Sequence, residues 1–144
     1  MADAQANAEQ IEYWNERGGP QWVQRQEMLD AQISPFGLVA LDKAAAQRGE
    51  SVLDVGCGWG LASAYCAHHG ASVTAADLDP EVLPLARFHA ELNGVEVETV
   101  EAGFADVGPD LLARVDWVIG ADICFRANLI EPLFDLVARE IGRA

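Results

Sequence analysis

Apolar and polar residues follow two rhythms along this chain. In the first third they recur at helical spacing; from residue 51 onward, short unbroken apolar runs closed by glycine or aspartate take turns with helical stretches. Ala8 to Arg17 reads as a helix that Gly18-Gly19-Pro20 breaks. Pro20 suits the first turn of a second helix reaching about Ile33, Ser34-Pro35 ends that one, and Phe36 to Gln47 forms a third, capped by Gly49. Val52, Leu53 and Val55 then make a buried parallel strand, followed by a helix from about Leu61 to His68. Ser72 to Ala76 is a second strand ending at Asp77, and the helix opened by Pro80 stops at Asn93-Gly94. Val95 to Val100 is a third strand, whose glutamates mark an exposed face and an edge position. Asp110 to Arg114 is a short helix, Asp116 to Gly120 a fourth strand, and Asn128 to Ile141 a last helix. This alternation predicts an α/β fold, a doubly wound parallel sheet with right-handed crossovers and helices on both faces. Residues 1–48 form a helical N-terminal segment and 49–144 the sheet domain.

The turn after the first strand carries the chemistry. Gly56, Gly58 and Gly60 alternate behind Asp54, leaving room where a Cβ would meet a ligand, ahead of a helix whose first N–H groups can face an anion or polar group. A dinucleotide fingerprint needs glycine at the place Leu61 occupies, which disfavours a nicotinamide oxidoreductase. The string Leu53-Asp54-Val55-Gly56-Cys57-Gly58-Trp59-Gly60 instead resembles the first motif of class I, seven-strand, Rossmann-like S-adenosylmethionine-dependent methyltransferases.

In that family the acid and glycines surround the methionine end of the cofactor, which implies contacts from Asp54, Gly56, Cys57, Gly58 and Gly60 to S-adenosyl-L-methionine or its product S-adenosyl-L-homocysteine. Ala76-Asp77-Leu78-Asp79-Pro80 is similar to the second motif, implying ribose contacts from Asp77 and adenine packing by Leu78; Asp79 reads as a helix N-cap. Phe104 falls where the family reads the adenine edge, and Asp106 is open between an amino-group acceptor and a helix cap. Asp122, at the end of the fourth strand, stands where the methyl group would be. The stretch Asp122-Ile123-Cys124-Phe125 resembles the D-x-x-Y signature of a branch acting on protein lysines and other amines, with Phe125 in place of tyrosine. A helix-capping role for Asp122 stays open.

Tyr13-Trp14-Asn15-Glu16 and the helices after it look like another branch, whose substrates are small molecules and whose leading helices lid the cofactor; Tyr13 and Trp14 would then touch it. Trp14 and Trp22 could equally share one helix face in plain packing. The family's sheet has seven strands ordered 3-2-1-4-5-7-6; this sequence departs from it by stopping after the helix that follows strand four, so the expected order is 3-2-1-4, with apolar Val115 to Ala121 as an edge covered by the N-terminal helices or paired with a second copy. It also implies methyl transfer to an amine, on a protein lysine or a small molecule. A shortened or chimeric cofactor-binding domain without turnover is the alternative.

Composition narrows the partners. Nine basic against twenty-three acidic residues give a net charge of −14, which repels nucleic acid and attracts cations such as a sulfonium or an amine, though such acidity also serves solubility alone. No run approaches the ~20 apolar residues of a membrane span, and the first residues lack a signal-peptide pattern, so a cytoplasmic location is expected. Cys57, Cys66 and Cys124 form no C-x-x-C pair, and His68 and His69 are a helix-end pair; no metal site is expected.

Overall fold

Where the sequence predicts three helices, residues 11–44 form one continuous helical run. A computed structural model describes residues 8, 11–44, 47–123 and 127–141, in two units, residues 1–45 and 46–144. In the first, a π-helical turn at Trp14–Gly18 runs directly into helix α1, Gly19–Ala44. Gly18 and Gly19 do not break the helix because Gly19 keeps right-handed helical dihedrals and its N–H reaches the Trp14 carbonyl, closing the wider turn. Glycine is needed there for space: a Cβ on Gly18 would stand 2.7 Å from the Tyr13 ring. Pro35 also lies within α1 rather than ending it. Its missing N–H orphans a carbonyl on an exposed stretch of helix, where solvent can satisfy it.

The second unit is a four-stranded parallel sheet ordered β3-β2-β1-β4. In chain order it comprises β1 Ser51–Val55, α2 Leu61–His68, β2 Ser72–Asp77, α3 Leu83–Leu92, β3 Glu98–Glu101, α4 Pro109–Leu112, β4 Trp117–Ile119 and, after a 3₁₀ turn at Ala127–Leu129, α5 Ile130–Ile141. The expected order, with β3 and β4 at the two edges, is the observed one.

Strand alternation divides the buried residues between the two faces. Val52, Val73 and Ala75 pack with Cys66 and Ala90 of α2 and α3. Leu53, Val55 and Ala76 pack on the opposite face with Leu112 and Leu136 of α4 and α5. Because Asp54 follows Leu53, it must project toward the α2 face. At the amino edge, Asp116 pins β4 to β1: the Ser51 N–H and hydroxyl both donate to one Asp116 carboxylate oxygen, at 2.8 and 3.0 Å, and the Asp116 N–H returns a bond to the Ser51 carbonyl.

Element ends differ from the sequence reading where local bonds intervene. Pro80 opens a turn, and α3 proper begins at Leu83. β3 starts at Glu98 rather than Val95, because the Val95 N–H is bonded back to Ala90 as part of the α3 stop. Among the described residues no helix is long and apolar enough to cross a membrane, and no cluster of potential metal ligands occurs.

Gly60 ends the glycine turn with φ +77°, and a Cβ there would lie 2.8 Å from the Ala86 Cβ on α3. Gly60→Ala is expected to destabilise the second unit by about 2–4 kcal/mol, from left-handed strain plus overpacking. Gly94→Ala, at φ +70° but with open space around it, should cost only about 1 kcal/mol. Urea unfolding of both variants checks this ordering.

Candidate cofactor site at the carboxyl edge of the sheet

Three strand ends are laced together at one rim. Beyond the last paired residue of β1, the Cys57 N–H still bonds to the Ala76 carbonyl of β2, at 3.0 Å. One residue on, the Gly58 N–H donates to Asp77 Oδ2 at 2.9 Å. The Ala102 N–H, just past β3, donates to the Asp77 carbonyl at 2.9 Å. The glycine turn is therefore bound along β2, and the Gly60 N–H bonded to the Cys57 carbonyl closes it into a tight loop. Gly56, Gly58 and Gly60 all have positive φ, a conformation that favours glycine over residues bearing a Cβ.

Their surroundings differ. A Cβ on Gly56 would meet Ile123 at 2.7 Å and the Phe104 ring at 3.7 Å, so this glycine admits side chains from two other loops. A Cβ on Gly58 would meet nothing within 4 Å, which makes Gly58 the open point of the loop.

Asp77 is half-buried at the centre of this lacing. Its Oδ1 accepts the Asp79 N–H at 3.0 Å while Oδ2 holds Gly58. An ionised carboxylate has about four lone-pair sites, so each oxygen keeps capacity for a hydroxyl. Asp79 in turn accepts the Glu81 N–H at 3.0 Å, closing a turn ahead of α3 rather than capping the helix as expected, because α3 starts only at Leu83 behind Val82. Leu78 is 66% exposed beside this carboxylate, and its Cδ1 lies 3.4 Å from where a Gly103 Cβ would stand. Trp59 projects from the glycine loop, 67% exposed, and its carbonyl lies 3.2 Å from His89 Nδ1. Phe104 packs against the α4/α5 face of the sheet with Val55 and Ala76. Asp106 closes its own turn, accepting the Gly103 N–H at 3.0 Å. That bond closes a turn and does not cap the next helix, whose N-cap is Gly108.

Asp54 departs from the expectation of direct cofactor contact. It is 1% exposed, beneath the loop, and Oδ2 accepts the Ser63 hydroxyl at 2.5 Å. Ser63 lies in the first turn of α2, so Asp54 anchors that turn from below and steadies the loop instead of lining it. Burial nevertheless pushes its acid up to about 6, against the Ser63 hydrogen bond, with the Asp77 charge adding to the rise. Burial also pushes the half-buried Cys57 thiol up to about 12, helped by the charges of Asp54 and Asp77. Cys57 is therefore a neutral spacer at working pH rather than a nucleophile.

Asp122 is exposed and holds φ +55°, a left-handed conformation uncommon outside glycine and tolerated best by Asn and Asp. Its neighbour Ile123 fills the space over both Gly56 and Gly120, so the β4 loop reaches the same rim. Cys124 and Phe125 lie outside the described residues. Tyr13 and Trp14 belong to the first unit, where Tyr13 packs edge-on against Trp14 and Trp14 edge-on against Trp22, with ring centroids 5.6 and 6.3 Å apart. Ser63 and Ile123 are the contributors that the sequence reading missed. Ser63 was signalled only by its place in the first turn after a glycine cap, and Ile123 by nothing local.

A parallel sheet ordered 3-2-1-4, with a glycine loop bound to the acid that closes β2, is the architecture of class I, Rossmann-like methyltransferases. The chain belongs to the methyltransferase domain family, whose model matches residues 52–142. It is 44% identical over 66 residues to a ubiquinone biosynthesis O-methyltransferase of Xylella fastidiosa, a match covering 46% of this chain and 27% of that protein. It is 41% identical over 105 residues to the Xanthomonas axonopodis pv. citri protein of the same name, covering 73% and 41%. The magnesium protoporphyrin IX methyltransferase of Synechocystis PCC 6803, crystallised with bound S-adenosylhomocysteine, shares the fold: TM-score 0.63, 23% identity, 89% of this chain and 64% of that one. The chain thus spans less than half the length of the curated relatives described here.

The buried Asp54 makes stability depend on pH. Its acid is raised in the folded state from 3.8 to about 6, so the native state holds the proton more tightly than the unfolded chain does. This term favours folding below pH 4 and is lost as pH rises through about 6, to the extent of about 3 kcal/mol. Asp54→Asn, which keeps an acceptor for Ser63, should flatten the fall in melting temperature between pH 4 and 6.5 and melt higher than the parent at pH 7. Parallel pH-dependent slopes for the two proteins would contradict this assignment.

Proposed function

We propose that this chain is the cofactor-binding domain of an S-adenosylmethionine-dependent methyltransferase acting on a small molecule, with an oxygen nucleophile as acceptor. The observation that carries this is the rim itself: Gly58 open and bound to Asp77, with exposed Leu78 next to it. The residues present fit the cofactor. Asp77 has lone pairs for two vicinal ribose hydroxyls, Leu78 and Phe104 supply apolar contact for a purine, and the left-handed loop at Gly58 leaves space that a Cβ would occupy. Gly56, Cys57 and Gly60 shape the loop, while Asp54 supports it from beneath. Tyr13 and Trp14 are kept as proposed cofactor contacts on the family resemblance alone.

The bound cofactor supplies an electrophilic methyl group on a sulfonium; the protein's task is to hold it in line with a nucleophile and exclude water, so that proximity accounts for most of the acceleration. The acceptor-facing acid is proposed to be Asp122, in the β4 loop whose next residue, Ile123, lies over Gly56. In this reading its carboxylate accepts a hydrogen bond from the acceptor's hydroxyl and raises the electron density on the attacking oxygen. Oxygen rather than lysine is favoured because the relatives are named O-methyltransferases, and because the signature of the lysine-methylating branch has tyrosine where this chain has Phe125. The acidic surface suits a cationic cofactor.

A cofactor-binding domain without turnover is the second reading. Its location is proposed to be the cytoplasm. The outer edge of β4, with Trp117 43% exposed, is proposed to pair with a second copy. Sedimentation should then give a dimer, and a stable monomer at micromolar concentration would contradict the pairing.

S-adenosylhomocysteine should raise the melting temperature in a concentration-dependent way while NAD does not. Asp77→Ala should abolish that rise, since it removes both the ribose acceptor and the Gly58 anchor. An equal rise in Asp77→Ala would remove Asp77 from the site. Transfer of labelled methyl to a catechol or phenol, but not to an amine, supports the oxygen acceptor; cofactor binding with no transfer to either supports the second reading.

A further inference from the structure

We infer that Arg139, on the last helix, is a positioning residue that holds the loop after β3 in the shape the cofactor rim requires. This rests on the methyltransferase reading above. Arg139 is half-buried, and its guanidinium reaches out of α5 to the loop carbonyls: Nη1 donates to Val107 at 2.6 Å and Nη2 to Phe104 at 3.0 Å, while Nε donates to Asp135 in its own helix, at 3.1 Å.

The loop needs such a clamp. After the Ala102 N–H bonds to Asp77, the chain leaves the sheet, and its carbonyls have no strand partner across the ladder. Val107 is fully buried, so its carbonyl is costly to leave unpaired. Two carbonyls three residues apart are served together by a planar fork of N–H groups, whereas an ammonium presents one point charge. Packing does not substitute for it here, because a hollow of about 700 Å³ opens beside the guanidinium between Ala105 and Pro132 and Ala138 of α5. The register of the clamp is set by Leu136, which is buried with Val107 in the same core. What the clamp holds is Phe104, whose ring stands 3.7 Å from where a Gly56 Cβ would be. Displacement of the loop therefore unsettles the floor of the glycine turn as well as the residue assigned to adenine.

Calorimetric titration of S-adenosylhomocysteine into the full chain tests this. Arg139→Met keeps most of the stem and removes every donor; it should weaken binding by roughly tenfold. Arg139→Lys should recover part of that loss. Phe104→Ala combined with Arg139→Met should be little weaker than Phe104→Ala alone, since both changes disable one element. With a methyl acceptor in hand, the KM for S-adenosylmethionine should rise while kcat at saturation stays near the parent value. Folded Arg139→Met and Arg139→Lys proteins that bind like the parent, or losses that simply multiply in the double variant, would overturn the inference while leaving the cofactor assignment intact. A parent protein that does not bind S-adenosylhomocysteine would instead overturn the methyltransferase reading, and this inference with it.

Discussion

The hydrogen bond from Gly58 to Asp77 is the constraint on which the site depends. Together with the backbone bond from Cys57 to Ala76, it joins the turn after β1 to the end of β2, where the chain leaves the sheet for α2 and α3. With that bond made, the glycine loop is held open side outward at Gly58, the Asp77 carboxylate is fixed in place, and Leu78 is left exposed beside it. The Asp77 carbonyl meanwhile carries the β3 side of the rim through Ala102. One residue thus ties three segments, and the groups proposed to meet ribose, adenine and the methionine end of the cofactor take their relative positions from it.

The same rim explains why the domain keeps an acid in its interior. Asp54 faces α2 because strand alternation leaves it no other direction, and a neutral residue there would avoid the cost of burying charge. What the carboxylate does is hold the Ser63 hydroxyl, which fixes the first turn of α2 directly after the glycine loop. A buried charge near a second carboxylate, Asp77, costs stability, and the left-handed backbone of Asp122 costs more. Strain and unfavourable charge concentrated at one edge of a sheet are the pattern expected of a site shaped for a ligand.

The sheet domain was largely legible in the sequence, because most of its elements end on punctuation with a mechanism: Gly56, Asp77, Asn93-Gly94 and Gly120 each stop an element that the structure also stops nearby. The N-terminal third was not. Gly18, Gly19 and Pro35 read as breakers by local propensity, yet the two glycines make room for Tyr13 and Trp14 in a π turn, and Pro35 sits where its lost bond faces solvent. Asp77, Leu78 and Gly58 could be found from strand ends and motif resemblance. The burial of Asp54 on Ser63, the wedge of Ile123 over Gly56 and the Arg139 clamp depend on contacts between segments far apart in the chain, and no local pattern announces them.

The central claim is that this rim is where an adenosine-bearing cofactor binds. Titrating S-adenosylhomocysteine into ¹⁵N-labelled protein and following backbone amide resonances tests it residue by residue. The account predicts the largest shifts at Gly56, Gly58, Gly60, Asp77, Leu78 and Phe104, with those around Glu131 and Asp135 near the hollow on α5 changing little. Shifts centred on that hollow, or a glycine loop that stays silent at saturating ligand, would contradict it.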